Sequence, residues 1–118
     1  MWSLVFRAAG WLVVVIIIVL SLMPGQDRPH SGLPGGFEHL AAYMSAAFLL
    51  ALGYPDKNKR VKITVLLIVL SGALEILQLW VPGRRSELAG FLASSSGATL
   101  GLAAAAVIAL GGRPPWLR

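Results

Sequence analysis

The side chains of this sequence that could bind or react with another molecule concentrate in three short segments. Each segment sets carboxylate, imidazole, amide or guanidinium groups among apolar neighbours. The chain has no cysteine, so binding and acid/base chemistry must come from oxygen and nitrogen atoms. The three segments supply Glu38, His39 and Tyr43, then Glu75 and Gln78, and then Arg84 and Arg85.

The spacing in the first two segments places polar side chains on common helix faces. His39 and Tyr43 are four residues apart, and Glu75 and Gln78 are three apart, so each pair shares a face of a helix. Imidazole and carboxylate groups are common general acids and bases, which makes His39 and Glu75 the catalytic candidates. All seven side chains are candidate ligand contacts, with the two arginines suited to a phosphate.

Each candidate also has a structural interpretation. Glu75 could form an ion pair with an arginine of the third segment, and His39 could bond across the protein to Glu75 or Gln78. Gln78 could hold a neighbouring helix, while Glu38 suits the positive end of a helix dipole. Two histidines in separate segments lack the ligand spacing of a metal site, so neither a metal nor a cofactor is expected.

The elements that must position these groups are long apolar runs. Hydrophobic residues make up 57% of the 118 residues and charged residues 13%, which is outside the usual range of soluble domains. Each run approaches the roughly 20 residues that cross a bilayer core. We predict a single membrane domain, 1–118, an all-α bundle with transmembrane helices at about 1–23, 35–54, 61–81 and 88–110.

The order of these helices predicts which polar groups meet. Residues 56–60 form a short polar turn between helices two and three, which makes the two helices an antiparallel hairpin. The start of helix two, with Glu38 and His39, then lies beside the end of helix three, with Glu75 and Gln78. The polar side chains are therefore expected at one end of the bundle.

The distribution of basic residues predicts the orientation. Cytoplasmic loops carry the excess of Lys and Arg, and seven of the ten lie on one side of the predicted topology. Both termini are therefore expected in the cytoplasm of a bacterial inner membrane, with the polar end outside. Attraction to anionic headgroups accounts for the net charge of +5, so membrane lipids are expected partners and nucleic acid is not. The seven are Arg7, Lys57, Lys59, Arg60, Lys62, Arg113 and Arg118.

The fourth helix carries small residues at four-residue spacing, the pattern of closely packed membrane helices. Its partner is another helix of the chain, a second copy in a homo-oligomer, or another membrane protein. The consecutive Ser94, Ser95 and Ser96 could be read as nucleophiles, but serine in a membrane helix more often bonds the carbonyl four residues back or packs tightly. The repeated small residues are Gly90, Ser94 and Ala98, and also Gly97, Gly101 and Ala105.

Four elements in order resemble the VanZ-like family: the sequence Glu-His-Leu-Ala-Ala-Tyr at 38–43, Glu-Ile-Leu-Gln at 75–78, Pro-Gly-Arg-Arg at 82–85, and a final helix with Gly97 and Gly101. The resemblance runs from about residue 35 to 101. It implies a small bacterial membrane protein of a family named for a protein linked to reduced teicoplanin susceptibility. It also implies that the family's characteristic positions fall on His39, Tyr43, Glu75, Gln78 and Arg84 or Arg85.

The sequence departs from the family pattern where other polar residues are common. Gly35 and Gly36 stand in place of an Asp-Lys pair, while Gly90 and Ser94 replace an acidic residue and an asparagine. The resemblance therefore implies a location in the bacterial membrane more strongly than it implies a resistance activity.

Two functional classes fit these residues. The first is a non-catalytic envelope protein that binds or modulates a lipid or lipid-linked envelope precursor at its extracytoplasmic face. The second is a membrane enzyme acting on a lipid-linked phosphate or sugar at the outer leaflet, with His39 or Glu75 as acid or base.

Overall fold

The computed structural model describes residues 2–22, 35–80 and 88–110, and these residues are almost entirely helical. The four helices are α1 (Trp2–Leu22), α2 (Gly35–Gly53), α3 (Lys57–Leu77) and α4 (Leu88–Leu110), and a short 3-10 turn, Gln78–Trp80, follows α3. No strand occurs within the described ranges. The prediction of an all-α protein is confirmed.

Among the described residues, three stretches are long and apolar enough to cross a membrane, which indicates a multi-pass membrane protein. They are Ser3–Leu22, Lys57–Trp80 and Gly90–Ile108. The apolar part of α2, Glu38–Gly53, is shorter. At about 1.5 Å per residue it extends about 24 Å, less than the ~30 Å thickness of a typical hydrocarbon core.

α3 begins before the apolar run that the sequence marks. We predicted a polar turn at 56–60 and a helix from 61, but the helix starts at Lys57. Asp56 is its N-cap: the Asp56 backbone is extended, and its carboxylate accepts a hydrogen bond from the backbone N–H of Asn58. This capping stabilises the first turn although its residues are polar. The predicted turn is therefore wrong, and residues 54–56 alone join α2 to α3.

α2 is the central helix and contacts each of the others, most extensively α4 and α1. Glycine makes the contact with α4 close, because a methyl group added at Gly97 or Gly101 would overlap the backbone carbonyl oxygens of Leu40 and Met44. Small residues that bring two backbones together are typical of membrane helix packing. Within the chain, the small-residue face of α4 is thus packed on α2.

Two arginines hold the end of α2 that is remote from His39. Arg7 Nε donates a hydrogen bond to the Gly53 carbonyl oxygen at 2.7 Å, and Arg60 Nε donates to the Ala51 carbonyl oxygen at 2.9 Å. The Arg7 guanidinium also lies 4.4 Å from the centre of the Tyr54 ring. The last carbonyls of a helix lack partners within it and carry partial negative charge, so the cations stabilise this end.

Candidate functional site

The start of α2 and the end of α3 meet as the antiparallel hairpin requires. His39 Nε2 lies 3.7 Å from Glu75 Oε1, which is longer than a hydrogen bond but within the range of an ion pair. The sequence left both Glu75 and Gln78 open as partners of His39, and the structure places Glu75 there. The His39 side chain is 22% exposed and that of Glu75 is 11% exposed, so neither side chain is fully enclosed.

α4 meets this pair through its backbone. A methyl group added at Gly90 would lie 2.7 Å from Glu75 Oε1 and 3.7 Å from His39 Nε2. The carboxylate thus lies where any larger residue at 90 would place its Cβ. Three helices therefore build the site, although sequence reasoning treated Gly90 only as a packing residue and a departure from a family pattern.

A second polar contact lies one helical turn from the first. The Tyr43 and Ser71 side chains are hydrogen-bonded to each other, and both residues are 2% exposed. Tyr43 follows His39 by four residues and Ser71 precedes Glu75 by four, so both contacts use the same faces of α2 and α3. Sequence reasoning singled out Tyr43 and missed Ser71. The four-residue spacing from Glu75 was the signal that could have identified it.

Ser94, one turn along α4 from Gly90, is fully buried. Its Oγ has no hydrogen-bond partner within the described part of the chain. Elsewhere hydroxyls bond the carbonyl four residues back, as Ser45 Oγ does to Ala41 at 2.8 Å and Thr99 Oγ1 does to Ser95 at 2.9 Å. Of the two structural roles expected for the serines, Ser94 thus shows tight packing without the backbone bond.

The remaining predicted contacts are Gln78, Glu38, Arg84 and Arg85. Gln78 is 3% exposed, and its Nε2 donates to the Ser21 carbonyl oxygen at 2.9 Å, so its amide ties α3 to the end of α1. Glu38 is in the first turn of α2 and is partly exposed. Arg84 and Arg85, expected to bind phosphate, lie outside the described residues.

Charge is segregated along the bundle. Over 2–22, 35–80 and 88–110, all Lys and Arg residues lie toward the end opposite the His39–Glu75 pair, and they are Arg7, Lys57, Lys59, Arg60 and Lys62. The same ranges hold no group of three His, Asp or Glu side chains that could bind a metal ion. The described groups at the polar end are thus suited to hydrogen bonding and to acid/base chemistry.

Comparison of the chain with protein-family models, with curated proteins and with solved structures finds no match in any of the three.

Proposed function

We propose that this chain is a VanZ-like protein of the bacterial cytoplasmic membrane that binds a lipid or lipid-linked envelope component at its extracytoplasmic face. The observation that carries the proposal is the partly open His39–Glu75 pair at one end of apolar helices. Ionisable groups within a membrane bundle are costly, so they are usually paired, solvated or functional. The family assignment rests on the sequence motifs alone.

The depth of the pair favours a ligand with an apolar portion. At about 1.5 Å per residue, His39 lies roughly 21 Å along α2 from Gly53, and Glu75 lies roughly 22 Å along α3 from Arg60. If the arginine contacts mark one boundary of a ~30 Å core, the pair lies roughly 8 Å inside the other boundary. A lipid can bring a polar headgroup to this depth while its chains stay in the bilayer.

The proposed topology has four transmembrane helices with both termini in the cytoplasm. The basic residues that hold or follow the end of α2 suit the cytoplasmic boundary. The short apolar span of α2 then leaves its first turn recessed from the outer surface, which brings His39 within reach of an outer-leaflet lipid.

The test is a lipid inventory by native mass spectrometry after gentle extraction from the native membrane. We expect the wild type to retain a specific envelope lipid and Glu75→Gln and His39→Ala to retain at least tenfold less. Asp56→Asn is the matched control, because it removes a carboxylate at the opposite end and asparagine is also a good N-cap. Identical lipid profiles in all four proteins would refute the proposal.

The same pair supports an alternative function, catalysis on a lipid-linked phosphate or sugar at the outer leaflet. Hydrogen bonds between catalytic groups are often long without substrate and shorten when it binds, which fits the separation of 3.7 Å. Incubation of the purified protein with its retained lipid separates the functions. A product of changed mass that Glu75→Gln fails to form would identify an enzyme, whereas an unchanged lipid supports binding alone.

A further inference from the structure

We propose that Lys59 and Lys62 bind the headgroup of an anionic phospholipid whose acyl chains lie along the exposed face of α3. This second lipid site is at the end of the bundle opposite the His39–Glu75 pair, in the inner leaflet of the proposed topology. It does not depend on the proposed function, because it uses other residues and a different ligand chemistry.

The basic end of the bundle carries an excess of positive charge. Within the described ranges it holds five Lys and Arg residues and one carboxylate, that of Asp56. This carboxylate accepts a hydrogen bond from the backbone N–H of Asn58. Arg7 and Arg60 each donate to a carbonyl oxygen of α2, which carries no formal charge. The excess therefore favours an anionic partner at this end.

Two of the cations begin an exposed face of α3. Lys59 and Lys62 are three residues apart and share a helix face, which continues through Leu66 and Val69. All four side chains are exposed, and the buried residues of α3 lie on the other side of the helix. In a membrane this face meets lipid. A lysine there can lay its apolar stem along an acyl chain while its ammonium group reaches the headgroup.

The far end of α3 indicates the depth of these lysines in the bilayer. Trp80 is 74% exposed, and exposed tryptophan in membrane proteins concentrates at the headgroup interface. At about 1.5 Å per residue, Lys62 lies roughly 27 Å from Trp80 along the helix, close to the ~30 Å thickness of a hydrocarbon core. With Trp80 at one interface, Lys59 and Lys62 lie at the level of the phosphates of the other leaflet.

Charge complementarity selects an anionic phospholipid over a zwitterionic one. Two neighbouring ammonium groups can donate hydrogen bonds to the oxygens of one phosphate. In phosphatidylcholine the choline cation offsets the phosphate charge, so the lysines gain less attraction than from phosphatidylglycerol. A phosphate without acyl chains could bind the lysines but would leave the apolar part of the face uncovered. The two parts of the site thus fit one lipid molecule.

The experiment compares phosphatidylglycerol and phosphatidylcholine with identical acyl chains, bound to the purified protein in detergent and measured by native mass spectrometry. We expect phosphatidylglycerol to bind at least about tenfold more tightly, because each of two lysines near an anionic headgroup contributes about fivefold. Equimolar glycerol phosphate, which has the phosphate without acyl chains, should not displace the lipid. Its displacement would contradict the role of the apolar face.

Lys62→Gln tests the residue, and Lys57→Gln is the matched control. Lys57 is also exposed in the first turn of α3, but it lies roughly 140° around the helix from Lys62. We expect Lys62→Gln to lower affinity for phosphatidylglycerol about fivefold and Lys62→Arg to retain it. Lys57→Gln should change it by less than about twofold, since salt screens a more distant charge. These side chains are exposed, so thermal unfolding midpoints should match the wild type.

Three results would overturn the inference: equal binding of the two lipids by the wild type, wild-type affinity in Lys62→Gln, or an equal loss in Lys57→Gln. The last would show that diffuse charge attracts the lipid without the exposed face. If Glu75→Gln instead abolishes the preference for phosphatidylglycerol, the lipid is held at the polar end, which overturns this inference and supports the proposed function. If no native lipid depends on Glu75 but Lys62→Gln weakens binding, the proposed function fails and this site stands.

Discussion

At the residue scale, the geometry of the polar end depends on a glycine, Gly90, which has no side chain to occupy the space beside Glu75. The Glu75 carboxylate lies against the backbone of α4 because residue 90 is a glycine. An added methyl group would meet the end of a flexible side chain, which can rotate away. Gly90 thus controls where the carboxylate lies relative to His39 without being ionisable itself.

We predict that Gly90→Ala displaces the Glu75 carboxylate and lowers lipid retention about tenfold, as loss of one hydrogen bond would. The cost in folding stability should be near the low end of the ~1–3 kcal/mol typical of overpacking. Native mass spectrometry and thermal unfolding in detergent measure the two effects. Gly72→Ala is the control, because its methyl would lie 3.3 Å from Phe91 Cε2 in the contact between the same two helices. Wild-type lipid retention in Gly90→Ala would refute the prediction.

At the scale of the helices, the contact between α2 and α4 has little room to adjust. Gly97 and Gly101 face backbone carbonyls of α2, and a backbone atom cannot rotate away as a side chain does. Lipid chains are as apolar as the side chains they replace, so close packing is a main source of association between membrane helices. A substitution that widens this contact should lower the folding stability directly. It should lower ligand binding only because the helices have separated.

We predict that Gly97→Ala destabilises the protein by about 2–3 kcal/mol, the upper part of the overpacking range. The physical reason is that α4 must move away from the Leu40 carbonyl, which separates the whole interface. Ala104→Val enlarges a small residue of α4 at an exposed position and should change stability by less than about 0.5 kcal/mol. The midpoint of thermal unfolding in detergent compares the two, and equal midpoints would show that the interface tolerates the methyl group.

At the scale of the whole molecule, the Lys and Arg residues of the described ranges lie at the opposite end of the helices from the His39–Glu75 pair. The cations bind the end of α2 or begin α3, while the partly exposed imidazole and carboxylate lie at the far end of the same helices. Under the positive-inside rule, this asymmetry favours the orientation that we propose, with the basic end in the cytoplasm. In that orientation, the lipid that we propose as ligand would reach the His39–Glu75 pair from the outer leaflet alone.

The absence of native cysteine allows the orientation to be tested with single-cysteine variants. We predict that Lys59→Cys is protected from a membrane-impermeant maleimide in intact cells, because the positive-inside rule places residue 59 in the cytoplasm. Ser31→Cys, in the segment between α1 and α2, should be labelled. A permeant maleimide should label both and serves as the control. Labelling of Lys59→Cys by the impermeant reagent would invert the proposed topology.

Much of the helical architecture follows from the sequence because long apolar runs leave few alternatives. The start of α3 cannot be predicted from hydropathy. Asp56 caps a first helical turn that is itself polar, and a search for apolar runs does not detect either feature. The proximity of His39 and Glu75 was also predictable, since an antiparallel hairpin brings opposite ends of its helices together.

The finer geometry of the site could not be predicted. Lipid-facing and buried positions are both apolar in these helices, so hydrophobic periodicity fixes the rotation of each helix only weakly. The rotation of each helix about its axis determines three of these contacts. Gly90 lies against Glu75, Tyr43 is hydrogen-bonded to Ser71, and Gln78 donates a hydrogen bond to the end of α1. Such contacts require the three-dimensional arrangement of the helices.

The contact between Gly90 and Glu75 has a consequence for biosynthesis. Translation delivers α3 to the insertion machinery before α4, so the Glu75 carboxylate enters the bilayer before the backbone that will cover it exists. Before α4 packs, the Glu75 carboxylate can meet His39 of α2 but lacks the backbone of Gly90 beside it. The geometry of the proposed binding site is therefore complete only when the last helix of the described chain has packed against the first part of the site.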